Sequence, residues 1–123
     1  MIPYLDDLTT GITGVILGKF YWGGSWRVAI KDGAMLVICD IATNKMMNLS
    51  DYIPLPGVLA SFSDSLSTGI YYALGNRFVM TTSPFGSNVP MNVLYGMGLD
   101  KLGKSFLGPA LSTGIQDVED EYL

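Results

Sequence analysis

Segment 53–76, IPLPGVLASFSDSLSTGIYYALGN, carries a small residue at every fourth position: Gly57, Ser61, Ser65, Gly69 and Ala73. On a helix, positions four apart stack on one face. A stripe of small side chains lets a second backbone approach closely, and helices inside lipid associate in this way. Another face carries Leu59, Phe62, Leu66, Ile70 and Ala73, and Asp64 is the only charge in the segment. Pro54 and Pro56 suit a helix start, and Gly75 with Asn76 suits a stop. The pattern predicts a long helix over 54–76. A helix of that length reaches about 35 Å, enough for a ~30 Å hydrocarbon core. Asp64 would then lie near mid-depth, where a carboxylate needs protonation, water or a cation.

Composition agrees with a location in or on a membrane. Charged residues are 15% of the 123-residue chain, against about 25% in ordinary soluble domains. Mean hydropathy is +0.35. Net charge is −4 and there is no basic run, which argues against nucleic acid as a partner. The chain has no histidine and one cysteine, so the commonest general base and the usual metal-ligand spacings are missing. Cys39 sits among Met35, Leu36, Val37 and Ile38 and reads as a small buried hydrophobe. The opening MIPYLDDL carries acids where a signal peptide carries basic residues, so membrane entry without a cleaved leader is expected.

Six further segments follow from local pattern. Residues 3–18 predict a short helix with Asp6 and Asp7 in its first turn and Gly14 and Gly18 at a close-packing spacing. KFYWGGSWR, at 19–27, gathers Tyr21, Trp22 and Trp26 between two cations, and these rings read as anchors at a membrane–water interface. Residues 26–46 predict a second long helix, with Asp32, Leu36 and Asp40 on one side. Arg27 and Lys31 are within reach of Asp32 on such a helix. A short polar link joins 26–46 to 54–76, so the two long helices should form an antiparallel hairpin. Residues 78–99 lack charge, yet TTSPFGSNVP in their midst demands a loop. A short helix over 90–106 follows, and the acidic end 116–123 reads as a solvated tail. The expected fold is therefore all-α: one helical membrane domain, a two-helix hairpin with shorter amphipathic helices at its flanks.

No catalytic constellation is present. There is no phosphate loop, nucleophile elbow or dinucleotide fingerprint, so neither an enzyme nor a bound cofactor is expected. Asp32, Asp40 and Asp64 are candidate polar residues within the membrane. The pentapeptide Leu-Ser/Thr-Thr-Gly-Ile recurs at 8–12, 66–70 and 111–115. The spacings differ, so this is no regular repeat; the echo reflects either similar small-residue helix contacts or biased composition, and the second is slightly preferred.

The order KDGAMLVICDIAT, IPLPG, FSDSLSTGIYYALGNR and a Gly-rich apolar end resembles small integral membrane proteins of tailless icosahedral viruses with an internal lipid membrane. The likeness is one of pattern and covers residues 31–106. It implies a structural role, with helices lodged in the virion membrane, touching capsid protein outside it and one another within it. It implies no catalytic residues. Two other classes compete. In a holin-like or channel-forming protein, Asp64 with Ser61, Ser65 and Thr68 would line a polar path. In a soluble helical interaction domain, a partner would cover the apolar surface. The expected partners are the lipid bilayer, the protein itself or other small membrane proteins, and capsid protein.

Overall fold

The computed structural model describes residues 5–45, 57 and 62–122. Helix α1 spans Leu5–Ile16 and continues as a π-helical turn, Leu17–Tyr21. A short link with Gly23 at φ 73° leads to α2, Trp26–Lys45. Helix α3 is Ser63–Phe78. Helix α4 is Val89–Leu102, followed by a π-helical turn, Gly103–Leu107, and by α5, Gly108–Tyr122. The described residues contain no strand, and the all-helical expectation holds.

The topology differs from a lone hairpin with flanks. Helices α1 and α2 pack along each other, as do α3 and α4, and the pairs join through α2 against α3 and α1 against α4. The product is an up-down-up-down four-helix bundle. Helices expected to be peripheral supply half of it, because α1 and α4 bring their own small-residue faces. Two crossings show why. A Cβ on Gly33 of α2 would overlap the Gly11 carbonyl of α1, and one on Gly96 of α4 would come within 3.0 Å of the Gly69 Cα of α3. At both crossings backbone meets backbone.

Several boundaries move. The α3 helix begins after Phe62, and 54–56 and 58–61, with Ser61, lie outside the described residues. It also runs past Gly75 and Asn76, because Asn76 serves the loop with its side chain. Its amide donates to the Tyr72 carbonyl, and its Oδ1 accepts from the Thr82 and Ser83 amides. Asn88 caps α4 by accepting from the Met91 amide, with Pro90 in the first turn. The end expected to be a solvated tail is helical to Tyr122, although of α5 only Gly108 is buried.

The polarity of the bundle is inverted. The interior of α1 is Asp7, Thr9, Thr10, Gly11, Thr13 and Gly14, while Leu8, Ile16 and Phe20 face outward. Helix α3 buries Ser63, Ser65, Ser67, Thr68 and Asn76 and exposes Leu74 and Phe78. A small apolar cluster, Met35, Leu36, Cys39, Tyr72 and Leu99, sits between polar layers. Cys39 is buried there as a free thiol.

Candidate functional site: two polar layers inside the bundle

The layer nearer the start of α1 gathers acids from three helices. Asp100 of α4 accepts from Thr10 Oγ1 of α1 at 2.8 Å and from Ser65 Oγ of α3 at 2.7 Å. Asp40 of α2 accepts from Thr68 Oγ1 of α3 at 3.0 Å. Thr68 also contacts Thr43 at 3.2 Å. The cation is Lys104, whose Nζ lies 2.9 Å from Asp40 Oδ1 and 3.0 Å from Asp100 Oδ1. Both carboxyls are fully buried, while the Lys104 side chain keeps a 24% opening to the surface. Lys104 sits in the π-helical turn beside Gly103. A Cβ on Gly103 would come within 3.0 Å of the α1 backbone at Thr10, so this close approach carries the lysine over the bundle interior.

Asn44 donates to Asp7 at 3.1 Å. Asp40 Oδ2 is buried without a donor. The layer thus ties every helix of the bundle to one ion-paired centre.

The second layer is centred on Asp32. It accepts from Tyr72 Oη at 2.5 Å and from Thr82 Oγ1 at 2.6 Å. Arg27 and Lys31, the expected partners, are exposed instead. They lie on the outer side of α2, whereas Asp32 faces α3 and the loop at 79–88. Tyr72→Phe removes one of the two donors. Bonds to charged groups contribute about 1.5–3 kcal/mol, and a loss in that range is expected in denaturant unfolding of the purified protein. An unchanged midpoint would show that Asp32 does not depend on Tyr72.

The residues singled out from sequence divide as follows. Asp32 and Asp40 are both interior, in separate layers. Asp64 is not: it lies in the first turn of α3 and is exposed, because the side of α3 that faces inward is set by Ser65, Thr68, Gly69 and Tyr72. Asp64→Asn should therefore cost under about 1 kcal/mol, the scale of a charge at a helix N-terminus. Loss of assembly in that variant would restore Asp64 to the interior. Ser65, Gly69 and Ala73 of the stripe are buried, and Gly69 meets α4. Gly57 is exposed, with no described residue within 4 Å of its Cβ position. Gly14 abuts Leu36, and Gly18 makes ordinary contact with Ala29. Tyr21, Trp22 and Trp26 are all surface rings.

Asp7, Asp100, Lys104 and Thr10 were missed. One signal for them was the Asp100–Lys104 pair, one helical turn apart in an apolar stretch. The other was the pentapeptide echo. Thr10 and Thr68 occupy the same place in its first two copies, and each donates to an aspartate of the opposite hairpin. Gly11 and Gly69, one residue later, make the two close crossings. These two copies thus share one structural role, the small-residue helix contact, the less preferred of the two readings from sequence. The third copy, in α5, has Ser112, Thr113 and Gly114 exposed.

Among the described residues no group of acids or Cys39 could hold a metal ion, and no helix is long and apolar enough to cross a membrane. Comparison with protein-family models, curated proteins and solved structures finds no match.

Proposed function

We propose that this protein is a structural component of a membrane, lodged in lipid as a bundle held together by its own interior polar contacts. The observation that carries the reading is the inverted polarity. In water, burying Asp7, Asp32, Asp40 and Asp100 while exposing Phe20, Trp26, Ile30, Ile38 and Leu94 forgoes the hydrophobic drive to fold. In lipid the same arrangement is favourable. Apolar side chains meet acyl chains, and Ser, Thr and Asp side chains bond across helices packed on small residues. Average hydropathy along a helix counts inward acids and outward leucines alike, which lowers the value for helices of this type. On α2, Lys31 and Asn44 bracket about 20 Å of helix, and Lys31 and Arg27 can extend their stems toward headgroups.

The pattern resemblance supplies the setting: a virion membrane, with capsid protein as the outer partner. The test is flotation of the full chain with phosphatidylcholine vesicles, followed by carbonate washing. Retention in the vesicle fraction is expected. A chain that stays monomeric and folded in buffer without detergent, and leaves the vesicles in carbonate, overturns the proposal in favour of a soluble interaction domain. Dye leakage from the loaded vesicles would favour the channel-forming alternative.

A further inference from the structure

The bundle is strongly polarised in charge, and its two ends differ in chemistry. One end comprises the π-helical turn after α1, the start of α2, the end of α3 and the loop at 79–88. These are held together by Trp22 against Phe85, with ring centroids 5.3 Å apart, and by the Thr82–Asp32 bond. Lys19, Arg27, Lys31 and Arg77 all belong to this end. The sequence contains no acid at 8–31 or 65–99, and the one acid nearby, Asp32, is 2% exposed and held by Tyr72 and Thr82. The remaining acids of the described helices lie toward the opposite end or in α5, where Asp117, Glu119, Asp120 and Glu121 cluster.

Aromatic rings stand among the cations. Phe20 is 69% exposed and Tyr21 74% exposed. Trp26 packs edge-on against Phe20, with the Lys19 ammonium 5.5 Å from its centroid. Arg77 lies 5.9 Å from the Phe78 ring. Exposed rings with apolar bodies and polar tips suit the boundary between acyl chains and headgroups. Cations beside them suit lipid phosphates.

We propose that this end is a docking surface for anionic phospholipid headgroups, and that it fixes which way the protein faces in the bilayer. The inference rests on the membrane reading above and adds its lipid preference and orientation. Three exposed cations, Arg27, Lys31 and Arg77, and the half-buried Lys19, with no exposed acid among them, complement a negatively charged leaflet. The acidic α5 is repelled from that leaflet and projects from the other side.

The experiment is co-flotation of the full chain with two vesicle types, phosphatidylcholine alone and phosphatidylcholine with 30% phosphatidylglycerol, at about 0.1 M and about 0.5 M salt. The comparison chain carries Lys19→Gln, Arg27→Gln, Lys31→Gln and Arg77→Gln together. These positions lie outside both polar layers, and circular dichroism checks that the helices persist. At low salt the wild type should partition into anionic vesicles at least about tenfold more strongly than into neutral ones. High salt and the quadruple variant should each remove most of that preference and leave capture by neutral vesicles intact. Equal capture by both vesicles, or a preference that survives the quadruple change, overturns the docking surface while leaving the membrane reading in place. Capture by anionic vesicles alone, reversed by salt, supports the docking surface and overturns the embedded bundle. No capture by either vesicle overturns both.

Discussion

Gly69→Leu should abolish native packing of α3 on α4. A Cβ at position 69 would run into the Val93 carbonyl oxygen and stand 3.0 Å from the Met97 amide nitrogen. Both are backbone atoms inside a helix, so neither can swing aside as a side-chain end could. The opposing residue is Gly96, where an added Cβ would meet Gly69 Cα and the Tyr72 ring. Overpacking a well-filled interior costs about 1–3 kcal/mol when side chains can rearrange. Here the helices themselves must separate, which also parts Ser65 from Asp100, so a loss at or above the top of that range is expected. Ile70→Leu, on the outer side of the same turn, should cost under about 1.5 kcal/mol. Thermal unfolding and near-ultraviolet circular dichroism measure the difference. Equal behaviour of the two variants would show that the glycine stripe is not a packing surface. The prediction also relocates the stripe. It serves an intramolecular crossing, so the glycine change should disturb the monomer before any assembly.

Asp100→Ala should be the most damaging change in the polar layer near the start of α1. Asp100 accepts from Thr10, Ser65 and Lys104 and is itself fully buried. Removing one partner from a buried ion pair costs about 3–5 kcal/mol, chiefly because the other charge is left behind. In this protein Lys104 would keep only Asp40, and Thr10 and Ser65 would lose the acceptor that joins α1 and α3 to α4. Asp100→Asn keeps the shape and one acceptor oxygen and should lose less. Combining Asp100→Leu with Lys104→Met removes the orphaned cation with its partner. The double variant should be more stable than the sum of the single losses allows. Additive losses in a double-mutant cycle would show that Lys104 and Asp100 do not act as a pair.

What the sequence determined by itself was local. Helical character, the loop at TTSPFGSNVP, the Asn88-Pro90 start of α4 and the shared side of α2 that carries Asp32, Leu36 and Asp40 follow from propensity, capping and periodicity within a few residues. So does the inert burial of Cys39, which needs only apolar neighbours. The small-residue stripe showed that α3 must meet a backbone closely, but not which one. That partner was decided by tertiary structure, since Gly96 lies 27 positions after Gly69 and only the α3–α4 turn brings it opposite. The same holds for the acids. Asp64 and Asp40 look alike in one dimension, yet one faces outward and the other is buried against Thr68 and Lys104. Which acids are interior depends on the rotation of each helix about its axis. That rotation is set by the Gly11–Gly33 and Gly69–Gly96 crossings together. Local pattern gives each helix its faces, and only the close contact of four helices selects the face turned inward.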